Sequence, residues 1–212
     1  MKKLNYSNIA RKILLPGLLM LASTALWAAD VGTENANAQV KNHSLPGESV
    51  YQLPITLEDQ LGSKFKLADH SGKVTLVSMF YNSCEFVCPM LIDTIQLLEE
   101  KLSPDEQKKI STLLVTFDPE RDDVSSLQSI AKNKNLDAKK WIVARTDAAS
   151  VRQLAAVLDI QYRQMESGEF NHTSVIILLD EQGRILARSG ELGTVDSEFL
   201  QKIKLAMKDS SF

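Results

Sequence analysis

Two cysteines four positions apart are the residues of this 212-residue sequence whose types and spacing best suit chemistry. Cys84 and Cys88 lie in the segment YNSCEFVCP, between an apolar run and a helical pattern. In open α/β sheets, functional sites gather where strands end and helices begin, and a helix N-terminus lowers the pKa of a thiol. On one helical turn the two Cα atoms would lie about 6 Å apart. That separation allows either a disulfide or a shared soft metal ion.

Three interpretations of this cysteine pair remain open. A structural disulfide is the simplest, although so short a loop constrains the unfolded chain little. A redox-active dithiol is the second, although its usual motif has two intervening residues rather than three. A metal site is the third, and it requires further ligands.

The elements that must position the pair follow from the apolar periodicity of the chain. Strands are predicted at 51–57, 65–67, 74–81, 110–117, 142–145, 174–180 and 185–188, and helices at 89–102, 123–134, 150–158 and 195–207. Alternation of strands and helices implies parallel pairing, and the late hairpin adds antiparallel strands. The sequence therefore predicts one α/β domain over residues 49–212, with a central mixed sheet, helices on both faces and an N-terminal β-hairpin.

Histidine supplies the candidate third ligand. His43 lies in a predicted linker and His70 beside a turn, so both are predicted to be solvated or structural. His172 directly precedes the apolar run at 173–180, at one end of the predicted sheet. In a thioredoxin-like sheet that loop packs against the cysteine-bearing helix start, which would place an imidazole beside the two thiols. Two thiolates and one imidazole suit Cu(I), Cu(II) with a further weak ligand, or zinc with a fourth protein ligand.

The N-terminal segment has the order of an export signal. Residues 1–12 are basic and polar, residues 13–29 carry no charge, and small residues and Asp30 follow. This order predicts a signal peptide over 1–29, with an uncleaved N-terminal anchor as the alternative. Residues 30–48 are predicted to form a flexible linker. The domain would then work in the periplasm or another extracytoplasmic space, free or tethered to the inner membrane, where thiols tend to oxidise.

Composition and charge limit the partners. A chain that is 44% hydrophobic and 24% charged is neither disordered throughout, collagenous nor a disulfide-dense scaffold. Without residues 1–29 it carries 20 basic and 27 acidic residues, a formal net charge of −7. Such an acidic body is a poor nucleic-acid binder. Contact with a membrane is predicted only through an uncleaved N-terminus.

Three further features are candidates for a role in the site or its surroundings. The charge-rich run 118–123 is predicted to be a strand-end turn with a helix N-cap at Asp122 or Asp123. An alternative gives Asp118 a place at the sheet end of Cys84, where it would tune the thiol. Met79 and Met90 flank the pair and are predicted to be core residues rather than Cu(I) ligands. Phe86 is a candidate exposed residue that docks a partner.

These features resemble the SCO/SenC family of thioredoxin-like copper chaperones. The resemblance covers most of residues 49–212. It rests on three blocks in order: Phe80–Pro89 with its two cysteines, the run TFDPERD at 116–122, and His172 before an apolar strand. It implies a thioredoxin-like fold and copper bound by Cys84, Cys88 and His172. It further implies delivery of copper to, or thiol reduction of, the copper-binding subunit of a cytochrome oxidase.

Two positions depart from the residues usual in that family. Glu85-Phe86-Val87 stands where the family usually has Pro-Asp-hydrophobic, and Asn171 replaces the common Asp before the histidine. Changes beside the ligands alter metal affinity and redox potential. The sequence thus predicts a copper metallochaperone for respiratory oxidase assembly. It leaves as alternatives a thiol–disulfide oxidoreductase, in which Cys84 attacks another thiol protein and Cys88 resolves, and a redox or copper sensor that signals through a partner.

Overall fold

Strands and helices alternate through most of the chain. The computed structural model describes residues 45–209. Within them the strands are β1 (Thr56–Asp59), β2 (Lys64–Lys66), β3 (Val74–Phe80), β4 (Ile110–Thr116), β5 (Trp141–Arg145), β6 (Tyr162–Gln164), β7 (Phe170–His172), β8 (Ile176–Leu179) and β9 (Ile185–Ser189). The α-helices are α1 (Val87–Glu100), α2 (Pro104–Gln107), α3 (Val124–Asn133), α4 (Ala148–Val157) and α5 (Ser197–Asp209). The expectations for residues 1–44, a signal or anchor and most of a linker, lie outside the described residues.

The centre of the fold is formed by β3 and β4. Every residue of both strands is buried, and they pair in parallel from Val74 opposite Ile110 to Phe80 opposite Thr116. A strand covered on both faces requires a nearly continuous apolar run, and both segments have one. The prediction of two buried central strands is confirmed.

These strands belong to a seven-stranded mixed sheet with the order β2-β1-β5-β4-β3-β8-β9. β5 joins β4 in parallel, whereas β8 pairs antiparallel with β3 and continues into the β9 hairpin. At the other edge, β1 and β2 form the predicted N-terminal hairpin. That hairpin is shorter than expected, because Val50–Gln52 forms a 3-10 turn whose N-cap Ser49 accepts a hydrogen bond from the Tyr51 N–H.

β6 and β7 form a separate antiparallel pair that the sequence analysis did not predict. Tyr162 is opposite His172, and Gln164 is opposite Phe170. The turn between the strands contains Gly168, which has a φ of +86°. We call residues 162–172 the His172 hairpin.

Side-chain caps set the starts of α2 and α3, and the cap of α3 at Asp123 is one of the two that the sequence predicted. The Asp123 carboxylate accepts a hydrogen bond from the Ser126 N–H at 2.8 Å and caps α3. Ser103 and Glu106 form a reciprocal capping box at α2. Each such cap satisfies N–H groups that have no partner within the helix. Within residues 45–209, no helix is both long and apolar enough to cross a membrane.

A buried polar chain fixes the end of the sheet where β3 and β4 begin. The Tyr51 hydroxyl donates to Thr75 Oγ1 at 3.1 Å, and Thr75 Oγ1 lies 3.2 Å from Ser111 Oγ. Ser111 Oγ in turn lies 3.1 Å from His70 Nε2. Burial, and secondarily the Lys73 charge, lower the pKa of His70 from 6.5 to about 4. The imidazole is therefore neutral in the folded protein at neutral pH.

The pKa of His70 predicts a loss of stability in mild acid. The unfolded histidine gains a proton below its ordinary pKa of 6.5, whereas the folded one resists protonation down to about 4. The stabilising contribution is therefore complete above pH 6.5 and is lost as the pH falls toward 4. Between pH 7 and pH 5 we expect His70 to lower the free energy of unfolding by about 2 kcal/mol. Urea unfolding of the parent and of His70→Gln at both pH values measures this difference, and equal pH dependence in the two proteins would contradict it.

Candidate metal centre

The sheet pairing brings three separate segments to one edge. β3 and β4 run in the same direction, so the residues after them, Tyr81 and Phe117, emerge together. β8 runs the opposite way, with Ile177 opposite Val77, so the segment that enters β8 lies at the same edge. The Ser78 hydroxyl donates to the Val175 carbonyl at 2.7 Å and fixes that segment against β3. The Cys84–Cys88 loop and the His172 hairpin are both attached here.

The cysteine loop joins β3 to the start of α1. The Cys84 N–H donates to the Tyr81 carbonyl at 3.3 Å, which turns the chain directly after the strand. The N-cap of α1 is Phe86, whose side chain makes no capping hydrogen bond. Cys84 supplies an acceptor instead, because its Sγ lies 3.3 Å from the Cys88 N–H. Cys88 is buried in the first helical turn, whereas Cys84 is half-buried, and both are free thiols.

His172 completes the cluster from the end of β7. One ring nitrogen and the sulfurs of Cys84 and Cys88 all lie within 4.8 Å of one another. The ring Nδ1 lies 3.2 Å from the Thr173 carbonyl, which can only accept, so Nδ1 carries the proton. Nε2 is then the nitrogen with a lone pair for a metal ion. The structure thus brings together the three residues that the sequence analysis selected.

The two thiols differ in acidity. Burial raises the pKa of Cys84, but hydrogen bonds from Cys88 and from the Phe86 and Val87 backbone outweigh it, so the net pKa is lowered. Burial raises the pKa of Cys88 well above its ordinary value, and the neighbouring Cys84 and Asp122 charges raise it further. Cys84 is therefore the more readily ionised thiol. At neutral pH the metal-free Cys88 thiol keeps its proton, and a cation that binds there would replace that proton.

The imidazole is held neutral by its surroundings. Burial lowers the pKa of His172, which keeps the ring in the form that binds metals. The ring packs against Phe117, with centroids 4.9 Å apart, and edge-on against Tyr81 at 5.8 Å. Two sulfurs and one imidazole nitrogen suit a soft ion such as Cu(I), whereas zinc would normally take a fourth protein ligand.

The acid beside the cysteine loop is Asp122, which the sequence analysis named only as an N-cap candidate, and not Asp118, its alternative for tuning Cys84. Asp118 pairs with Arg121 rather than with the cysteine loop. Asp122 is 2% exposed, accepts hydrogen bonds from the Asn82 N–H and the Thr116 hydroxyl, and raises the pKa of Cys88. Burial also raises the pKa of Asp122 itself. Asp122 lies in a charge-rich run, and nothing in the sequence distinguished it from the neighbouring acids as the one beside the thiols.

The sequence analysis also missed Tyr81 and Glu169. Tyr81 is buried, and its hydroxyl donates to Glu169 Oε2 at 2.6 Å. Burial, the Glu169 contact and Cys84 raise the pKa of Tyr81, so the hydroxyl keeps its proton. The Ser167-Gly168 pair between two short β-rich runs was the available sign of a hairpin.

The other sequence candidates have mixed outcomes. Met79 is buried in the core as predicted, whereas Met90 is exposed beside Gly193. Phe86 is 75% exposed between the two cysteines, as proposed. His70 lies near the opposite end of β3 and belongs to the polar chain described above.

The match to a known family covers this whole domain. The SCO1/SenC family model matches residues 44–208. The chain belongs to the SCO1/SenC family.

Two curated relatives are SCO2-like proteins of Rickettsia. The match to the protein of Rickettsia prowazekii has 26% identity over 141 residues and covers 63% of this chain and 66% of the relative. The match to the protein of Rickettsia typhi has 24% identity over 191 residues and covers 85% and 90%. Both relatives are thus distant in sequence.

Solved structures share the fold. ScoI of Arabidopsis thaliana, solved with copper bound, superposes with a TM-score of 0.62 at 17% identity and covers 75% of this chain and 98% of its own. BsSco, described as a member of the Sco family of cytochrome c oxidase assembly proteins with a disulfide switch, has a TM-score of 0.62 at 22% identity and covers 73% and 92%. The mixed α/β domain is therefore the thioredoxin-like fold of Sco proteins, as predicted.

The difference between the thiols predicts selective alkylation. In the metal-free, reduced protein we expect iodoacetamide to modify Cys84 at least about tenfold faster than Cys88 at neutral pH, since the thiolate is the reactive form. Peptide mass spectrometry measures the two rates. Cys88→Ser should retain the fast phase and Cys84→Ser should lose it. Equal rates at the two positions would contradict the assigned acidities.

Proposed function

We propose that this protein is an extracytoplasmic copper-binding metallochaperone that serves the assembly of a respiratory cytochrome oxidase. The observation that carries the proposal is the cluster of Cys84, Cys88 and His172, whose ligand atoms lie within 4.8 Å of one another. Two residues come from one loop and the third from a hairpin 84 positions beyond Cys88. Within the described residues the cluster has two soft thiol donors and one imidazole but no fourth protein ligand of its kind, a set that favours copper over zinc.

The arrangement also suits handover of the ion. Cys84 is half-buried, and a cavity of about 170 Å³ lies beside both cysteines, with Ile92 and Ile130 in its lining. An acceptor thiol or imidazole could approach there and replace the protein ligands one at a time. Transfer by ligand exchange needs no free copper in solution and no net redox change.

The proposal also names a client, a cytochrome oxidase subunit, and an extracytoplasmic compartment. A cytochrome oxidase subunit is supported by the family and by the description of BsSco as an oxidase assembly protein. The periplasm or another extracytoplasmic space is supported by the export-like order of residues 1–29. Exposed Phe86 between the two ligands offers an apolar contact for such a client.

A second candidate function is thiol–disulfide exchange, which the asymmetry of the thiols favours. The Cys84 thiolate would attack a disulfide of the partner, form a mixed disulfide and release one partner thiolate. Cys88, after losing its proton, would then attack Cys84 Sγ and release the second partner thiolate. The partner disulfide gains two electrons and is reduced, while Cys84 and Cys88 lose two electrons and form a disulfide.

Copper titration tests the first proposal. The reduced parent protein should bind one Cu(I) ion, and His172→Ala should bind it more than about 100-fold more weakly, since loss of a ligand exceeds the 10–100-fold effect of losing a neighbour of a ligand. Competition with the chelator bicinchoninate measures the affinities. His70→Gln is the matched control at neutral pH, because His70 hydrogen bonds Ser111 instead of facing the thiols. If His172→Ala binds as tightly as the parent, the three-ligand site is wrong.

Thiol exchange distinguishes the second function from the first. The rate at which the reduced protein reduces 2-hydroxyethyl disulfide should fall at least about 100-fold in Cys84→Ser, because the buried Cys88 thiol has a raised pKa. The rate should change less than about threefold in His172→Ala, since the imidazole takes no part in the exchange. Loss of exchange in His172→Ala comparable to that in Cys84→Ser would exclude the mechanism with Cys84 as sole attacking group.

A further inference from the structure

The third ligand is carried by an element outside the main sheet. Among residues 45–209, the two strands of the His172 hairpin pair only with each other, whereas the strand before the cysteines is hydrogen-bonded on both sides. An isolated two-stranded hairpin has little stability of its own. Contacts with the body of the domain must therefore fix the position of the imidazole.

One set of contacts is apolar. Phe170 of the hairpin lies 5.1 Å from Tyr81 and 5.3 Å from Phe117, measured between ring centroids. Tyr162 stacks on Phe117 at 5.3 Å. Ring packing has broad geometric preferences, so it holds the hairpin against the sheet edge without fixing its orientation tightly.

Two polar contacts fix the orientation of the hairpin against the sheet edge, and both lie at the turn end of the hairpin. The Tyr81 hydroxyl donates to Glu169 Oε2 at 2.6 Å. Arg121 Nη2 donates to the Gly168 carbonyl at 2.6 Å, and its guanidinium carbon lies 5.8 Å from the Phe170 ring centroid. Arg121 is itself held by Asp118. Both donors lie just beyond the ends of the central strands.

We propose that the Tyr81–Glu169 hydrogen bond is a clasp that positions His172 over the two thiols and sets how fast the bound copper ion is released. The proposal rests on the proposed copper-binding function. Tyr81 lies three residues before Cys84, and Glu169 lies three residues before His172. The clasp therefore joins the two parts of the site at equal and short distances along the chain. Tyr81 and Glu169 act as positioning residues, since neither is among the proposed ligands.

The state of the clasp, closed or open, sets how many ligands hold the copper ion. While it is closed, the imidazole remains beside the thiols and three ligands hold the ion. When it opens, the hairpin can turn on its aromatic contacts and withdraw His172, which leaves two thiolates and an open position for an acceptor ligand. A hydrogen bond to a charged group contributes enough that its loss should change the closed population by about tenfold or more.

The test uses the full reduced protein loaded with one Cu(I) ion. Tyr81→Phe removes the hydroxyl and keeps the ring, and Glu169→Ala removes the acceptor. Each should speed transfer of copper to bicinchoninate by about tenfold without changing the stoichiometry. The double variant should release copper no faster than Tyr81→Phe alone, because Tyr81→Phe already removes the bond that Glu169→Ala removes. Glu169→Gln keeps an acceptor oxygen and should return most of the parent rate.

The matched control is Glu166→Ala, an exposed glutamate of the same turn for which the described structure records no hydrogen bond. It should release copper at the parent rate. Hydrogen exchange of the metal-free proteins is the second measurement. Amides of the hairpin should exchange faster in Tyr81→Phe and Glu169→Ala, while those of β8 should not change.

The outcomes separate the two proposals. If the parent protein binds no copper, the proposed function fails and the clasp fails with it. If the parent binds copper and the two variants release it at the parent rate, the clasp alone is overturned. Faster hairpin exchange without faster release also overturns it, since the contact is then only structural. Additive effects in the double variant would show that Tyr81 and Glu169 act through different contacts.

Discussion

The whole arrangement depends on how β3 is paired. Its parallel neighbour β4 and its antiparallel neighbour β8 force the end of β3, the end of β4 and the start of β8 to meet at one sheet edge. Thr75 and Ser78 of β3 are buried and hydrogen-bonded to Ser111 and to the Val175 carbonyl, so a shift of register would leave buried polar groups without partners and is strongly disfavoured. The start of the cysteine loop is therefore fixed relative to Phe117 by a backbone hydrogen bond and relative to Val175 by the Ser78 hydroxyl, without any metal ion.

Burial at that edge lowers the pKa of His172 and raises the pKa of Cys88. It keeps the imidazole neutral and raises the pKa of Cys88, so one ligand is ready to bind and the other must lose a proton. The pKa of Cys84 is lowered in spite of burial, because no side chain caps α1 and backbone N–H groups at the start of the helix donate hydrogen bonds to the Cys84 sulfur. A cation that binds here thus meets one easily ionised sulfur first. The raised pKa of Cys88 means that binding through the second sulfur would release a proton, so the affinity for a cation should rise with pH.

The central strands, the four longer helices and the grouping of Cys84, Cys88 and His172 could be predicted from the sequence because each has a local signal. Continuous apolar runs indicated β3 and β4, Asp123 indicated the start of α3, and the cysteine spacing indicated a site. The His172 hairpin could not be predicted in this way, because three-residue strands carry too little periodicity to stand out from a loop. Nor could the Tyr81–Glu169 contact, whose members are 88 positions apart and meet only after the sheet has formed.

The His172 hairpin and its contact between Tyr81 and Glu169 were not predicted, and they make the anchoring of the three candidate ligands unequal. Cys84 and Cys88 are attached directly to the most strongly paired strand, whereas His172 ends a strand with a single partner. A protein that only stored copper would gain from fixing all three ligands equally. A protein that hands copper on needs one ligand that can leave at low cost, and a hairpin held by a few side-chain contacts meets that need. The uneven anchoring of the three residues therefore suits the proposed transfer of copper more than its storage.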